Sequence, residues 1–410
     1  MFSFRYLYFF VAMIFAVFGN SYISDYIGYT MRTTVAFTLL CIYCIYKYNK
    51  GEYVKKTDET FWYFLTIGIT IVVFHFLLGH DYFQAMLCMI FLPCFFSLFF
   101  DRLTYQELRI IRLTVIIFYI SNCSMAIWEH YAHDYFIPHT VASIDELEIW
   151  SFRARAMLGH PLANVLIMSP MIVYIMSSDM KFYFRLLLLM FGVYALFCFN
   201  TRSGILTTMA CCIPIIYMEI KKKKTTAKWL YTIIIFVSAV LATNYVLNNE
   251  IGGRLINLSK SEGFLTDGNS IVRIQILRFY EYIKIDDLLL GSPENSEHIM
   301  TSMGMMGIEN GAIFIILYYG LLCGLPLIWI LFLFYYKRMG VLSNIQRWAI
   351  LLCYWGIGMT NPHIAFYLSW YYFFFDFYAF IPTMTYFTKI NPQRHVLEYR
   401  IREKRLTYNI

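Results

Sequence analysis

The chain has 410 residues and a formal net charge of +7; 60% of its residues are hydrophobic, 20% aromatic and only 14% charged, with a mean hydropathy of +0.57. Soluble domains carry about half apolar and a quarter charged residues, so this balance excludes an ordinary soluble enzyme, a disordered chain and a nucleic-acid binder. With so few charges, the excess of lysine and arginine marks the side of a membrane rather than a polyanion-binding face.

A bilayer-crossing helix needs about 20 mostly apolar residues. In chain order, twelve such runs lie near 5–22, 32–47, 61–79, 82–100, 110–128, 161–178, 183–199, 203–220, 229–247, 311–336, 347–361 and 363–387. The last two also fit re-entrant segments. The first lacks a small-residue cleavage site and is rich in Phe and Tyr, which favours a retained span over a signal peptide. The alternating stretches of a β-barrel do not occur. The sequence predicts an all-α, polytopic integral membrane protein of about 12 transmembrane helices. Helices 1–5 fall in 1–128, a loop in 129–160 and helices 6–9 in 161–247; a large loop covers 248–310, helices 10–12 fall in 311–388, and 389–410 is a basic tail.

Lysine and arginine set the orientation. With the N-terminus inside, the inner segments receive 24 of the 33 basic residues and the outer segments 9. Both termini are then cytoplasmic, and the Lys221–Lys224 run is a solvated anchor, with a lipid-binding patch as the less favoured reading. All ten cysteines fall in apolar runs, so Cys41-x-x-Cys44 is packing rather than a redox or zinc motif. The two loops, 129–160 and 248–309, lie outside. Within the second, 271–285 has the pattern of a short amphipathic helix lying on the interface.

The outer ends of four spans carry polar residues: Arg153, Arg155, His160 and Pro161; Asn200, Thr201 and Arg202; Glu309 and Asn310; and Asn361, Pro362 and His363. Helix capping and N1 prolines account for most of them. Arg202 is different. It sits in a short turn between two apolar spans, where burial toward the bilayer centre would cost about 2.5–3.5 kcal/mol. Its plain reading is a snorkelling side chain; its functional reading is a phosphate clamp with the helix N-terminus. The 248–309 loop has nine acids against five bases, so specific arginines rather than a general field would recruit an anion. Glu129, His130, His133 and Asp134 resemble metal ligands only loosely, and no metal site or cofactor is expected. His298 reads first as an exposed loop histidine, and Glu309 equally as a helix cap or a base.

Four motifs in register resemble the superfamily of O-antigen ligases and Wzy-type O-antigen polymerases. Arg153-Ala-Arg-Ala-Met-Leu-Gly-His-Pro161 resembles its R-x-[ST]-G-x-[FL]-G-[NH]-P stretch, and Asn200-Thr-Arg-Ser-Gly204 its S-R-[GS]-[AG] turn. Arg273 lies where members carry an arginine early in a loop helix. Glu309-Asn-Gly311 through Gly320 and Gly324 is similar to its [HD]-N-x-x-[LF]…G…G segment. Ala156 replaces the usual glycine, and Glu309 replaces the histidine typical of ligases, which puts polymerase ahead of ligase. A lipid-linked oligosaccharide flippase is the reading from another class. It is disfavoured by few mid-span charges and no repeat of the first half in the second.

The resemblance implies a GT-C-like, metal-independent, inverting glycosyltransferase of the bacterial inner membrane. Its donor would be an undecaprenyl-diphosphate-linked oligosaccharide, within membrane lipid, with a chain-length regulator as a further partner and no nucleic acid. Arg202, Arg153 and Arg273 would hold the diphosphate, with Arg155, His160 and Asn310 as further binding residues. Glu309 would be the base and His298 the second candidate for that role.

Overall fold

A chain in an apolar solvent must pair its own backbone groups, and a helix does this within one segment. The computed structural model describes residues 4–18, 32–53, 59–100, 103–136, 152–178, 180–226, 228–233, 274–304, 310–339 and 342–358, with 237, 244 and 308. Among them there is no strand. The helices are α1 (Phe4–Phe18), α2 (Arg32–Asn49), α3 (Glu59–Leu77), α4 (Phe83–Met86), α5 (Leu92–Phe100) and α6 (Tyr105–Ala132). They continue with α7 (Pro161–Ser177), α8 (Phe182–Cys198), α9 (Arg202–Lys221), α10 (Ile285–Leu290), α11 (Pro293–Met303), α12 (Gly311–Arg338) and α13 (Asn344–Gly358). A π-helical turn, Leu87–Phe91, joins α4 to α5.

Four stretches are long and apolar enough to cross a membrane: Glu59–Leu77, Gln106–Ala132, Arg202–Lys221 and Gly311–Lys337. Their outward residues stay apolar, with Phe76, Ile213 and Trp329 all exposed. This is the architecture of a helical membrane protein. The run at 363–387 and most of 229–247 lie outside the described residues.

Helix α7 is the centre. It packs on α8, α9 and α13, and every residue of it but Leu162 is buried. Because α6 and α8 run one way and α7 and α9 come between them in alternation, the bundle has two chemically distinct ends. At one end α6 begins at Thr104, whose side chain and that of Glu107 form a reciprocal capping box. The fully buried Glu107 also receives Arg5 Nη2 at 2.6 Å and Lys47 Nζ at 3.4 Å, together with the Tyr43 hydroxyl. Arg5 grips Glu52 as well, at 2.9 and 2.5 Å. The same end holds Arg185, bound to Glu219 at 2.6 Å and to the Met176 carbonyl at 2.6 Å, and the lysines that close α9. The opposite end holds the 152–160 segment, the α8–α9 turn and the α10–α11 unit.

One sequence expectation is corrected and a second is refined. The 271–285 stretch is not one amphipathic helix. Among its described residues Ile274 and Gln275 are α-helical, a 3₁₀ turn covers Ile276–Glu281, and a separate helix starts at Ile285. The 311–336 run lies within a stretch long and apolar enough to span, but it is kinked and not straight. Gly320 adopts φ +74°, ψ 164° and breaks α12 into two limbs, so the longer limb, 321–338, has a crossing length of about 27 Å.

The break is built rather than accidental. The carbonyls of Leu317, Tyr318 and Tyr319, which a continuous helix would pair with its next turn, are taken by other elements. Ser292 N–H and Asn295 Nδ2 donate to Leu317 at 3.2 and 3.1 Å. The Tyr82 hydroxyl donates to Tyr318 at 2.6 Å, and His75 Nε2 to Tyr319 at 3.2 Å. Gly291, at φ +76°, lies directly against Gly320, and a Cβ on either would overlap the backbone of the other segment.

Gly320→Ala should therefore cost about 3 kcal/mol, combining a disfavoured backbone region with overlap. Gly51→Ala, at φ +66° with open space around it, should cost about 1 kcal/mol. Thermal unfolding of the purified chain in detergent checks the difference.

Candidate functional site

The site forms where an irregular segment is pinned across the ends of four helices. Residues 152–160 run over the C-terminus of α6 and lead into α7. Residues 154–159 are buried, with Ala154, Ala156, Met157 and Leu158 each under 7% exposed. An irregular backbone placed there needs partners for its amides.

Glu129, 1% exposed and one turn from the end of α6, supplies most of them. Its carboxylate accepts from the N–H groups of Arg155 at 2.7 Å, Ala156 at 2.8 Å and Phe136 at 3.2 Å. Such charge-assisted bonds contribute about 1.5–3 kcal/mol each. Asn122, two turns deeper, accepts from Met157 N–H at 3.0 Å. Asn164 on α7 donates to the carbonyls of Arg155 at 2.5 Å and His160 at 3.0 Å. Ala154 N–H donates to Cys198 O at 3.0 Å, tying the segment to the α8–α9 turn.

The arginines follow from this scaffold. Arg153 Nε donates to Phe199 O at 3.4 Å, so its side chain lies along the α8–α9 turn. Arg155 is 9% exposed, with its guanidinium stacked 4.7 Å from the Tyr135 ring centroid. Arg202 is half-buried as the first residue of α9. It is held there because Asn200 turns the chain with φ +53° and because Gly204 lets α9 close on Val165 of α7, where a Cβ would overlap. Three sequence-derived arginines thus belong to one junction. Arg273 and Glu309 lie outside the described residues.

His160 occupies the N-cap position of α7 with Pro161 at N1, as the spacing predicts, but its side chain makes no capping bond and is exposed. Thr201 likewise stands at the N-cap of α9 without a side-chain cap bond. Its buried hydroxyl has no hydrogen-bond partner among the described residues, nor have Asn122 Nδ2 and Asn164 Oδ1. Capping therefore does not account for Thr201. Asn310 does cap α12, accepting from Ile313 N–H at 3.1 Å.

His298 lies in a pocket whose lining includes none of the junction arginines. Its Nε2 meets the Tyr282 carbonyl at 3.0 Å, and a cavity of about 580 Å³ there is lined by Tyr282, Lys284, Asp287, Glu294, Asn295 and His298, among others. Glu129 is engaged by backbone amides, and among the described residues no group of three His, Cys, Asp or Glu side chains is placed to hold a metal ion.

Sequence reasoning passed over Asn122 and Asn164. The available signal was a carboxamide inside an otherwise apolar run, which in a membrane setting needs a specific partner. Ala156 stands in a strained backbone region. Its φ is +41°, a region that glycine adopts freely and a β-carbon disfavours.

Compared with known proteins, the chain matches no family model and no curated protein.

Two outcomes test the scaffold. Glu129→Ala should lower stability by about 3 kcal/mol or more, since three amides lose their acceptor, and should expose the bonds after Arg153 and Arg155 to trypsin; thermal melting and limited proteolysis report both. Ala156→Gly should raise stability by about 1 kcal/mol by relieving the left-handed backbone, seen as a higher melting temperature.

Proposed function

We propose that the protein polymerises lipid-linked polysaccharide repeat units of an O-antigen, capsule or exopolysaccharide. It would move a growing glycan from undecaprenyl diphosphate to a sugar hydroxyl at the periplasmic face of the bacterial inner membrane. The observation that carries this reading is the junction of Arg153, Arg155 and Arg202 at one end of an apolar helical bundle, on a backbone fixed by Glu129, Asn122 and Asn164. The distribution of lysine supports the orientation. Every described lysine but Lys284 lies toward the end that carries Arg5, Glu107 and Arg185, which the positive-inside rule assigns to the cytoplasm. The about 12 spans and two cytoplasmic termini read from the sequence complete the proposed topology.

In this mechanism the polyprenyl tail lies in the lipid along the apolar helices, and the diphosphate rests on the arginine junction. The acceptor hydroxyl attacks the anomeric carbon. A bond forms between that oxygen and C1, the bond from C1 to the phosphate oxygen breaks, and its electron pair leaves with the diphosphate. Guanidinium groups stabilise the charge that grows there, where fixed cations lower a barrier most. The proton of the hydroxyl passes to a base, assigned to Glu309 beside the cap residue Asn310, with His298 as the second candidate. Attack on the face opposite the leaving group inverts the anomeric configuration.

Proteoliposomes containing the chain and polyprenyl-diphosphate oligosaccharide should show glycan extension with no nucleotide sugar and with a chelator present. Arg202→Ala should reduce extension by about 100-fold or more, the scale of losing one transition-state charge contact. Arg202→Lys should recover little of it, because an ammonium cannot form the bidentate fork. Full activity in Arg202→Ala, or a requirement for Mg²⁺, would overturn the mechanism, and transfer only to a lipid A core would identify a ligase.

A further inference from the structure

The α10–α11 unit and the 3₁₀ turn before it line an open cleft of about 580 Å³, a volume within the range of about 300–1,000 Å³ that holds small-molecule ligands. Its walls come from three places: the end of the 3₁₀ turn (Glu281 and Tyr282), α10 with the residue before it (Lys284 and Asp287), and the first turns of α11 (Glu294, Asn295 and His298). They are fastened to one another. His298 bonds to the Tyr282 carbonyl, and Asn295, 6% exposed, donates to Asp287 O at 3.0 Å and Leu317 O at 3.1 Å. The pocket is thereby anchored to the break in α12 rather than to a free loop.

Its chemistry selects a ligand. Tyr282 is 42% exposed and offers an aromatic surface. The carboxylates of Glu281, Asp287 and Glu294 supply acceptors, and the Lys284 ammonium supplies donors. Glu281, Asp287 and Glu294 line it with Lys284 as the one lining cation; Arg278 pairs with Glu281 at 4.0 Å, and Ser292 Oγ, bonded to Glu294, holds that carboxyl below the usual carboxylate range. An anion entering here would meet net negative charge, while a polyhydroxylated ligand would find both hydrogen-bonding partners and a ring to stack on.

We infer that this cavity binds a saccharide free of carboxylate and phosphate groups, either neutral or amino-bearing. Its role as the acceptor subsite rests on the polymerase reading above; its binding of sugar does not. The geometry that serves this purpose is an open cleft of mixed polar groups with an aromatic rim, tied through Asn295 to the Leu317 carbonyl beside the break in α12.

The experiment is direct binding by calorimetry and saturation-transfer NMR to the full chain in lipid nanodiscs. The probes are chitotetraose, the glucosamine tetramer, the galacturonate tetramer and spermidine. Chitotetraose and the glucosamine tetramer should bind, and the galacturonate tetramer about ten-fold or more weaker because of the carboxylates. Tyr282→Ala should weaken chitotetraose about ten-fold through lost stacking, with an unchanged melting temperature showing that the fold is intact. The double variant Asp287→Asn, Glu294→Gln should narrow the gap between the neutral and anionic tetramers. Equal binding of the galacturonate tetramer, binding of spermidine alone, or chitotetraose binding indifferent to Tyr282→Ala would each overturn the inference. Glycan extension without any sugar binding at this cavity would overturn the inference and leave the polymerase reading intact. Sugar binding without extension would do the reverse.

Discussion

Irregular backbone inside an apolar bundle is tolerated only where each peptide group finds a partner, and a single buried carboxylate meets most of that demand here. Glu129 takes three amides of the segments that follow α6, and Asn122 and Asn164 take the groups on either side. Remove that set and the 152–160 segment has no reason to lie between the helix ends. The arginines would then be mobile cations at a lipid interface instead of a fixed constellation. The arginine-bearing junction is thus made rigid by an acid whose own oxygens are spent on backbone amides.

The same requirement recurs at the Gly320 break, with other chemistry. There the orphan carbonyls go to a serine amide, an asparagine, a tyrosine and a histidine from three separate segments. At the far end of the bundle the unit is ionic, with Glu107 serving Arg5, Lys47, Tyr43 and the first turn of its own helix. Buried ion pairs add little net stability compared with apolar packing, but they are costly to break singly and they fix register. The two ends of α6 are therefore held by two glutamates in opposite roles. One gathers cations and the other gathers backbone amides.

Much of the helical layout was legible because apolar runs of spanning length have few other fates. The starts of α7 and α12 were legible from Pro161 at N1 and Asn310 as a cap, whereas Thr201 marks the start of α9 without capping it. What escaped was non-local. Glu129 reads in sequence as the polar end of a span or as part of a loose metal-like cluster; only the return of a segment more than twenty positions later gives its carboxylate a task. Gly320 sits in an apolar run that looks continuous, and the break depends on His75, Tyr82 and Asn295, which no sequence window contains together. The 271–285 pattern had helical periodicity, but its described residues pass from α-helix into a 3₁₀ turn and then a separate short helix.

The contact between Gly291 and Gly320 also constrains how this chain can diverge. Neither position tolerates a side chain while the other segment stays in place, so a substitution at one can be accommodated only if the α10–α11 unit moves away from α12. Descendants of this fold must then either retain both glycines or change them in concert with an altered seat for that unit. The pair is a covarying signature by which more distant kin of this architecture would be recognised even where the surrounding apolar residues have drifted.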